Sequence, residues 1–416
     1  VPSAMPTSAY VRPAPSEVLA HTHWAACSNA ASCSEQVHLM LGGPGEVIVS
    51  FVSASASVPS EVSWWADPRH PSTAVGVADA YSLLMSVDLN LVVPQMGLPD
   101  LSLKRLVDME DTSAWAFNPF TGARGANYFH PEGAAQLHWG LGQYNNPQMV
   151  YDSPVIHTVA LRGLSPGKAY GYHVAGHRRN YSFVLPLEPR GDPPPYPFTF
   201  ALTADLGQTA VSAVNVVRLR EILEAAPPGR CAMLLGGDLA YADGFHPRWD
   251  TFGRMLEPLA ARFPQLMIGG NHEMIAGEGW VPYNTRYPSP ARSSGSPSNL
   301  WWSRDVGPAH VVGLSSYSNA SPGSLQYRWL VADLAAVNRT RTPWVIVMTH
   351  VPWYSSNALH VAEAGQSHAG APCQLVSFPR FNRATCLHLP APPTSPPSTS
   401  LPYAAFPFPH PPFVQS

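Results

Sequence analysis

Phe198-Thr199-Phe200-Ala201-Leu202-Thr203-Ala204 runs into Asp205-Leu206-Gly207, Cys231-Ala232-Met233-Leu234-Leu235-Gly236 runs into Gly237-Asp238-Leu239-Ala240-Tyr241, and Gln265-Leu266-Met267-Ile268-Gly269 runs into Gly270-Asn271-His272-Glu273. Each run is short, largely apolar and bounded by turn-forming residues, which reads as a β-strand. Each ends on groups that bind metals. In an open α/β sheet, sites are built at the carboxyl ends of parallel strands. The three runs therefore bring acid and amide groups to one edge of one sheet.

Between these strands the apolar period becomes helical. Val211, Val214, Val217 and Ile222 fall at helical spacing between the first two, and Trp249, Phe252, Leu256, Leu259 and Phe263 step by three and four between the second and third. Leu325, Trp329, Leu330 and Leu334 repeat the pattern before Trp344-Val345-Ile346-Val347-Met348-Thr349, a fourth strand that ends on His350. Alternating strands and helices predict a βαβ architecture over about 198–360.

The chain upstream reads differently. Residues 1–34 are rich in Ser, Ala and Pro and carry no period. From Gln36 onward, Val37–Leu41 and Val47–Val52 form a strand pair around Gly42-Gly43-Pro44-Gly45, and another strand is expected at Val62–Trp65. Residues from about 66 to 147 scatter their aromatics among Gly, Asn and Pro and read as an irregular insertion. Alternation returns at Val155–Leu161, Tyr170–Val174 and Tyr181–Val184. Such a series fits a fibronectin-type β sandwich.

The 416 residues, 45% hydrophobic, suffice for two domains with cores of their own. A formal charge of -3 with 12% charged residues argues against a nucleic-acid partner, which would select a basic excess. No apolar run is long enough to cross a bilayer as a helix. Five cysteines leave at least one unpaired; Cys27 and Cys33 read equally as a small disulfide loop or as free thiols. Sequons at Asn180, Asn319 and Asn338 fit the N-glycans of a secreted or cell-wall protein, and the chain opens at Val1 with no leader pattern.

Asp205, Asp238, Tyr241, Asn271 and His350 are the oxygen and nitrogen donors that a dinuclear metal site for phosphate-ester hydrolysis requires. One carboxylate bridges two cations about 3.5–4 Å apart and the others anchor each cation separately. Alone, an aspartate after a strand is most often a helix cap, and Gly270-Asn-His-Glu273 reads equally as a turn. The order of the donors along the chain, each at the end of a strand, carries the argument.

That order resembles the plant-type purple acid phosphatases within the calcineurin-like metallophosphoesterases. The matching residues are Asp205-Leu-Gly207, Gly237-Asp-Leu-Ala-Tyr241 with Ala242-Asp243, Arg248-Trp-Asp250, Gly270-Asn-His-Glu273, Leu314-Ser-Ser-Tyr317, Ser321-Pro-Gly-Ser324, Gln326-Tyr-Arg-Trp-Leu330 and His350-Val-Pro-Trp-Tyr354. The resemblance implies that Asp205 and Tyr241 ligate Fe(3+), that Asp238 bridges, and that Asn271 and His350 hold a divalent metal, Zn, Mn or Fe. It implies phosphate monoesters as substrates, a purple colour from the Tyr241 phenolate, His272 orienting the phosphate or aiding the leaving group, and His360 as a proton donor.

The family carries one further motif, Gly-His-x-His, that gives one histidine to each metal. No such motif follows His350; His368, His388 and His410 do not follow a glycine. Beyond Gln366 the resemblance stops and Leu389–Ser400 is proline-rich low complexity. This stretch reads either as a wall-associated tail or, the reading preferred, as unrelated sequence standing in place of the family's C-terminal part.

The expected organisation is an irregular 1–34, a fibronectin-III-like β sandwich at 35–190 with an insertion at about 66–147, and a proline-rich linker at 191–197. An αβ-sandwich metallophosphoesterase domain at 198–366, incomplete at its C-terminus, and a proline-rich, disordered tail at 367–416 follow. The expected function is an acid phosphatase of doubtful activity. The other readings are a catalytically inactive homologue acting in binding, and a phosphodiesterase or pyrophosphatase on the same scaffold.

Overall fold

The computed structural model describes residues 33–84, 150–189, 194–242, 246–274 and 278–352. Its backbone is one long sheet with two smaller sheets on one face and helices on the other, and one further helix, Leu325–Ala336, covers the outer face of a smaller sheet. Strands β1 (Ser34–Leu41), β2 (Val47–Ser53), β3 (Glu61–Trp65), β8 (Val155–Leu161), β9 (Ala169–Val174) and β10 (Asn180–Val184) form where alternation or turn residues predict them. The stretch after residue 66, expected to be irregular, instead holds β4 (Ser72–Val75), β5 (Val77–Asp79) and β6 (Ser82–Leu84), with β7 (Val150–Asp152) closing against β6. β4 and β5 escape the sequence pattern because both lie at sheet edges and expose most of their side chains, so they show no apolar alternation.

The C-terminal strands are β11 (Thr199–Thr203), β12 (Cys231–Leu235), β13 (Gln265–Met267), β14 (Trp302–Val306), β15 (Ala309–Gly313) and β16 (Trp344–Met348). β11, β12 and β13 pair in parallel, so their carboxyl ends share one edge. A single parallel bridge, Met40 to Gln265, joins β13 to β1 and carries the sheet on in the order β11-β12-β13-β1-β2-β8-β5. The N-terminal strands and the βαβ region thus share one seven-stranded sheet. The smaller sheets are β10-β9-β3-β4, β14-β15-β16 and the two-stranded β6-β7; the first two pack against the long sheet. β16, which leads to His350, belongs to the second of these and not to the βαβ sheet.

Alternation along the long sheet sorts its side chains into two cores. Val37, Leu39, Leu41, Leu234, Leu266 and Ile268 face the smaller sheets, packing with Tyr172, Phe183, Trp302 and Val311. Met40, Met233, Leu235 and Met267 face the helices. Helix α1 (Ala210–Ala225) starts at Thr209, whose hydroxyl accepts from the Ser212 amide. Its position matches the sequence, but its buried face does not. Ser212, Val216, Leu219 and Leu223 are inside, while Val211, Val214, Val217 and Ile222 are 41–59% exposed. The helix carries two apolar stripes, and the sheet selects the one at i, i+4, i+7 and i+11.

Helix α2 (Pro247–Ala260) buries Trp249, Phe252, Leu256 and Leu259 as their spacing predicts. Burial of four such side chains contributes on the order of 6–12 kcal/mol before entropy is counted. The same helix presents Asp250, Arg254 and Glu257 to the N-terminal strands. Glu257 is fully buried and accepts from the Gln36 amide at 2.7 Å and from the Tyr181 hydroxyl. Arg254 pairs with Glu35. Helices α3 (Val281–Arg286) and α4 (Leu325–Ala336) complete the described helices. Cys33 is disulfide-bonded and Cys231 is free, so the partner of Cys33 lies outside the described residues. None of the described helices is long and apolar enough to cross a membrane.

Candidate metal centre

The parallel pairing of β11 and β12 continues past both strands. The amides of Asp205, Leu206 and Gly207 donate to the carbonyls of Gly237, Asp238 and Leu239 at 3.0, 3.1 and 2.8 Å. Two loops are thereby zipped together, setting Asp205 beside Asp238. Turning away from the sheet so sharply requires left-handed backbone, with Asp205 at φ 54°, Asp238 at φ 52° and Tyr241 at φ 50°. For residues with a Cβ this conformation costs about 1–2 kcal/mol each. Three such residues at one sheet edge mark a site where geometry outweighs local stability.

The predicted donors converge. The Tyr241 hydroxyl donates to Asp205 Oδ1 at 2.8 Å. His350 Nε2 lies 3.1 Å from Asn271 Oδ1 and 3.3 Å from Asp238 Oδ1. Asp238 thus stands between a pair made of Asp205 and Tyr241 and a pair made of Asn271 and His350. Asp205, Asp238 and His350 alone offer ligand atoms all within 4.8 Å of one another. The His350 Nδ1 meets the Gly236 carbonyl at 2.9 Å, which fixes the ring and turns Nε2 toward the cluster. His350 follows a strand of the opposite sheet, so the cluster joins strand ends of both sheets at one edge of their shared core. Carboxylate, phenol, amide and imidazole donors in this arrangement suit hard or intermediate metal ions.

Close approach explains two of the glycines. A Cβ on Gly270 would lie 2.1 Å from Asp238 Oδ1, and one on Gly237 would lie 2.6 Å from His350 Nδ1. Neither position accepts a side chain without displacing a donor.

The electrostatics follow from the crowding. Burial alone would lower the His350 pKa, but its hydrogen bond to Asp238 and that carboxylate's charge raise it to about 9. Burial pushes the Asp238 carboxyl up, and the His350 hydrogen bond and charge more than reverse this, leaving it lowered. Burial and the Asp205 hydrogen bond raise the Tyr241 phenol. A neutral phenol beside two carboxylates needs a strong cation to ionise it.

His272 contributes its amide to Asp238 Oδ1 at 3.0 Å, and its ring centroid lies 4.3 Å from that of Tyr241. His360 lies outside the described residues. The His177 of Gly176-His177 is far from this chemistry: its Nε2 lies 3.2 Å from Glu257.

Three contributors carry no role in the sequence reading. The Glu273 carboxylate, fully buried, accepts from the amides of Asp238, Leu239 and Gly270 at 2.9, 2.8 and 2.7 Å. Burial raises its pKa to about 7 against the lowering effect of these amides. The Tyr317 hydroxyl donates to Asn271 Oδ1 at 3.3 Å, and Ser316 Oγ accepts from the amides of His350 and Val351 at 3.2 and 3.1 Å. All three fall inside the matching motifs; membership in a motif is the signal available, since their partners are backbone groups or distant side chains.

Residues 198–374 match the calcineurin-like phosphoesterase family. Purple acid phosphatase 21 of Arabidopsis thaliana is 40% identical over 220 residues, covering 51% of this chain and 47% of that protein. Purple acid phosphatase 18 of the same plant is 30% identical over 366 residues, covering 86% of this chain and 65% of that protein. The chain spans about half the length of most of the curated relatives it matches. Among solved structures, the purple acid phosphatase PPD1 of yellow lupin (Lupinus luteus) shares the fold with a TM-score of 0.55 at 19% identity, over 80% of this chain and 53% of that one. The strand ends, their order and these similarities agree: residues 198–374 are similar to the calcineurin-like phosphoesterase family, and the chain is similar in sequence to plant purple acid phosphatases.

Proposed function

We propose that this chain is a metal-dependent phosphatase acting on phosphate monoesters at a centre of Fe(3+) and a divalent ion, Zn, Mn or Fe. The observation that carries this reading is the convergence of Asp205, Asp238, Tyr241, Asn271 and His350 at the strand ends of the two sheets. Asp205 and Tyr241 would hold the ferric ion, Asn271 and His350 the divalent ion, and Asp238 would bridge. When bound, the ions would supply Lewis acidity, lowering the pKa of a water and neutralising charge on the leaving oxygen. His272, held beside Tyr241, would orient the phosphate or assist the leaving group, and His360 remains the expected proton donor. The exposed sequons at Asn180, Asn319 and Asn338 support N-glycans and a secreted or wall-associated protein.

Each ion receives three protein ligands from this set, with Asp238 counted for both. A centre held by these five residues alone is expected to turn over far more slowly than one given two further histidines. The test is to load the metal-free chain with Fe(3+) and Zn(2+) and to assay a phosphate monoester beside a diester. Monoester hydrolysis with a visible absorption band that Tyr241→Phe abolishes supports the proposal. Stoichiometric metal without hydrolysis favours the inactive, binding homologue, and hydrolysis of the diester alone favours a phosphodiesterase.

A further inference from the structure

We infer that Glu273 is the positioning residue of this centre, the group that holds the bridging carboxylate of Asp238 where two ions can share it. The inference rests on the metal-centre reading above and adds a residue that touches neither metal nor substrate.

Glu273 closes the short 3₁₀ turn Asn271–Glu273, and its Oε2 accepts from the Gly270 amide three residues back. That bond alone would make it an ordinary cap. The same carboxylate also reaches the next loop, where Oε2 accepts from the Asp238 amide and Oε1 from the Leu239 amide. Two loops, each carrying donors of the candidate centre, therefore meet on one side chain with no exposed surface. The bond to Asp238 is made by a residue at φ 52°, where the backbone needs external support. The Asp238 side chain in turn lies so close to Gly270 that no Cβ fits between them. Loosening the amide of Asp238 would shift its carboxylate relative to Asp205 on one side and to His350 on the other.

Three N–H groups aimed at two oxygens require acceptors at every position. Glu273→Gln keeps the shape but puts an N–H₂ where an acceptor is needed, so at least one amide must lose its partner. Glu273→Asp keeps the charge and shortens the reach. Groups that orient metal ligands without binding the metal are each typically worth about 10–100-fold in metal affinity.

The test uses the full chain, metal-free, titrated with Zn(2+) by calorimetry, with thermal melting of the metal-free protein run alongside. Expected is a loss of Zn(2+) affinity of about 10–100-fold in Glu273→Gln at a temperature where melting shows the variant folded, with Glu273→Asp intermediate. In an Asp238→Asn background, where the bridge is already gone, Glu273→Gln should cost much less than in the unsubstituted chain. A variant that melts lower but binds Zn(2+) as tightly as the unsubstituted chain would make Glu273 a structural cap only, and full additivity with Asp238→Asn would equally overturn the inference. If the unsubstituted chain binds no Zn(2+), the metal-centre reading itself fails and the inference falls with it. Should Glu273→Gln not fold, Glu273→Asp and its cycle with Asp238→Asn distinguish the same outcomes.

Discussion

The strand-end cluster and the cluster around Arg286 are both polar and both bridge separate parts of the chain, yet they are composed in opposite ways. Arg286 is fully buried and donates through Nε to Tyr81, through Nη1 to Gln36 Oε1, and through Nη2 to Tyr151 and Asp250, all at 2.8–3.0 Å. Donors meet acceptors, and one cation meets one carboxylate. Around Asp238 the composition is lopsided: two carboxylates, an amide oxygen and a phenol oxygen point toward one another, and the His350 ring is what faces them. The first cluster closes on itself and joins the N-terminal strands to α2 and α3. The second leaves its oxygens facing one another, and the proposed metal centre rests on that imbalance.

Three measurements put weight on that contrast. Replacing Arg286 with Met should remove about 3–5 kcal/mol of stability in denaturant unfolding, because Asp250 loses its paired cation while the Tyr81 and Tyr151 hydroxyls and Gln36 Oε1 each lose a donor. Metal affinity, measured where the variant is folded, should stay as it was; a parallel fall in both would mean the clusters are not separate. Asp238→Asn should weigh the other way, weakening Zn(2+) binding by more than about 100-fold while costing the metal-free protein less stability than Arg286→Met, because losing the His350 pairing is partly offset by relief of repulsion from Asp205. An equally large loss of stability would show that the strand-end cluster is self-sufficient after all.

The smallest effect concerns His310 on β15, which lies 2.7 Å from Asp305 and 2.9 Å from Asp333. Burial works against its charged form, but the two aspartates outweigh it and raise the pKa to about 9. A pKa raised on folding gives stability that is complete below the unfolded value near 6.5 and is lost as pH climbs through about 9. Urea unfolding should therefore show stability declining between about pH 6.5 and 9, and His310→Gln should remove on the order of 2 kcal/mol of that decline, the remainder coming from His350, whose pKa is raised alike. Persistence of the whole slope in that variant would move its origin elsewhere.

The parts of this molecule that the sequence makes legible are those in which residue type and period carry the information. Strands β11 to β13 and their terminal acids can be read because apolar runs stop abruptly on donors. Helix α2 can be read because a single apolar stripe leaves one solution. Helix α1 shows the limit: Val211, Val214 and Ile222 are as apolar as Val216 and Leu219, and only the sheet beneath decides between stripes. Glu273 is hidden for a different reason. Its partners are amides that every residue but proline possesses, 34 and 35 positions away, so nothing in the residues at 238 and 239 announces the contact. The placement of β16 opposite β11–β13 is hidden likewise, since apolar runs look the same in either sheet.

The bridge between Met40 and Gln265 has a consequence for how the molecule is assembled. During synthesis β1 and β2 emerge long before β13, and a lone β1 would offer an open row of amides and carbonyls to any passing strand. The roughly 225 positions from Met40 to Gln265 must be made before that edge is closed, so this pairing is among the last that synthesis allows. The N-terminal strands thus act as a template, and the phosphoesterase domain is laid against an edge that must stay unclaimed until its own strands arrive.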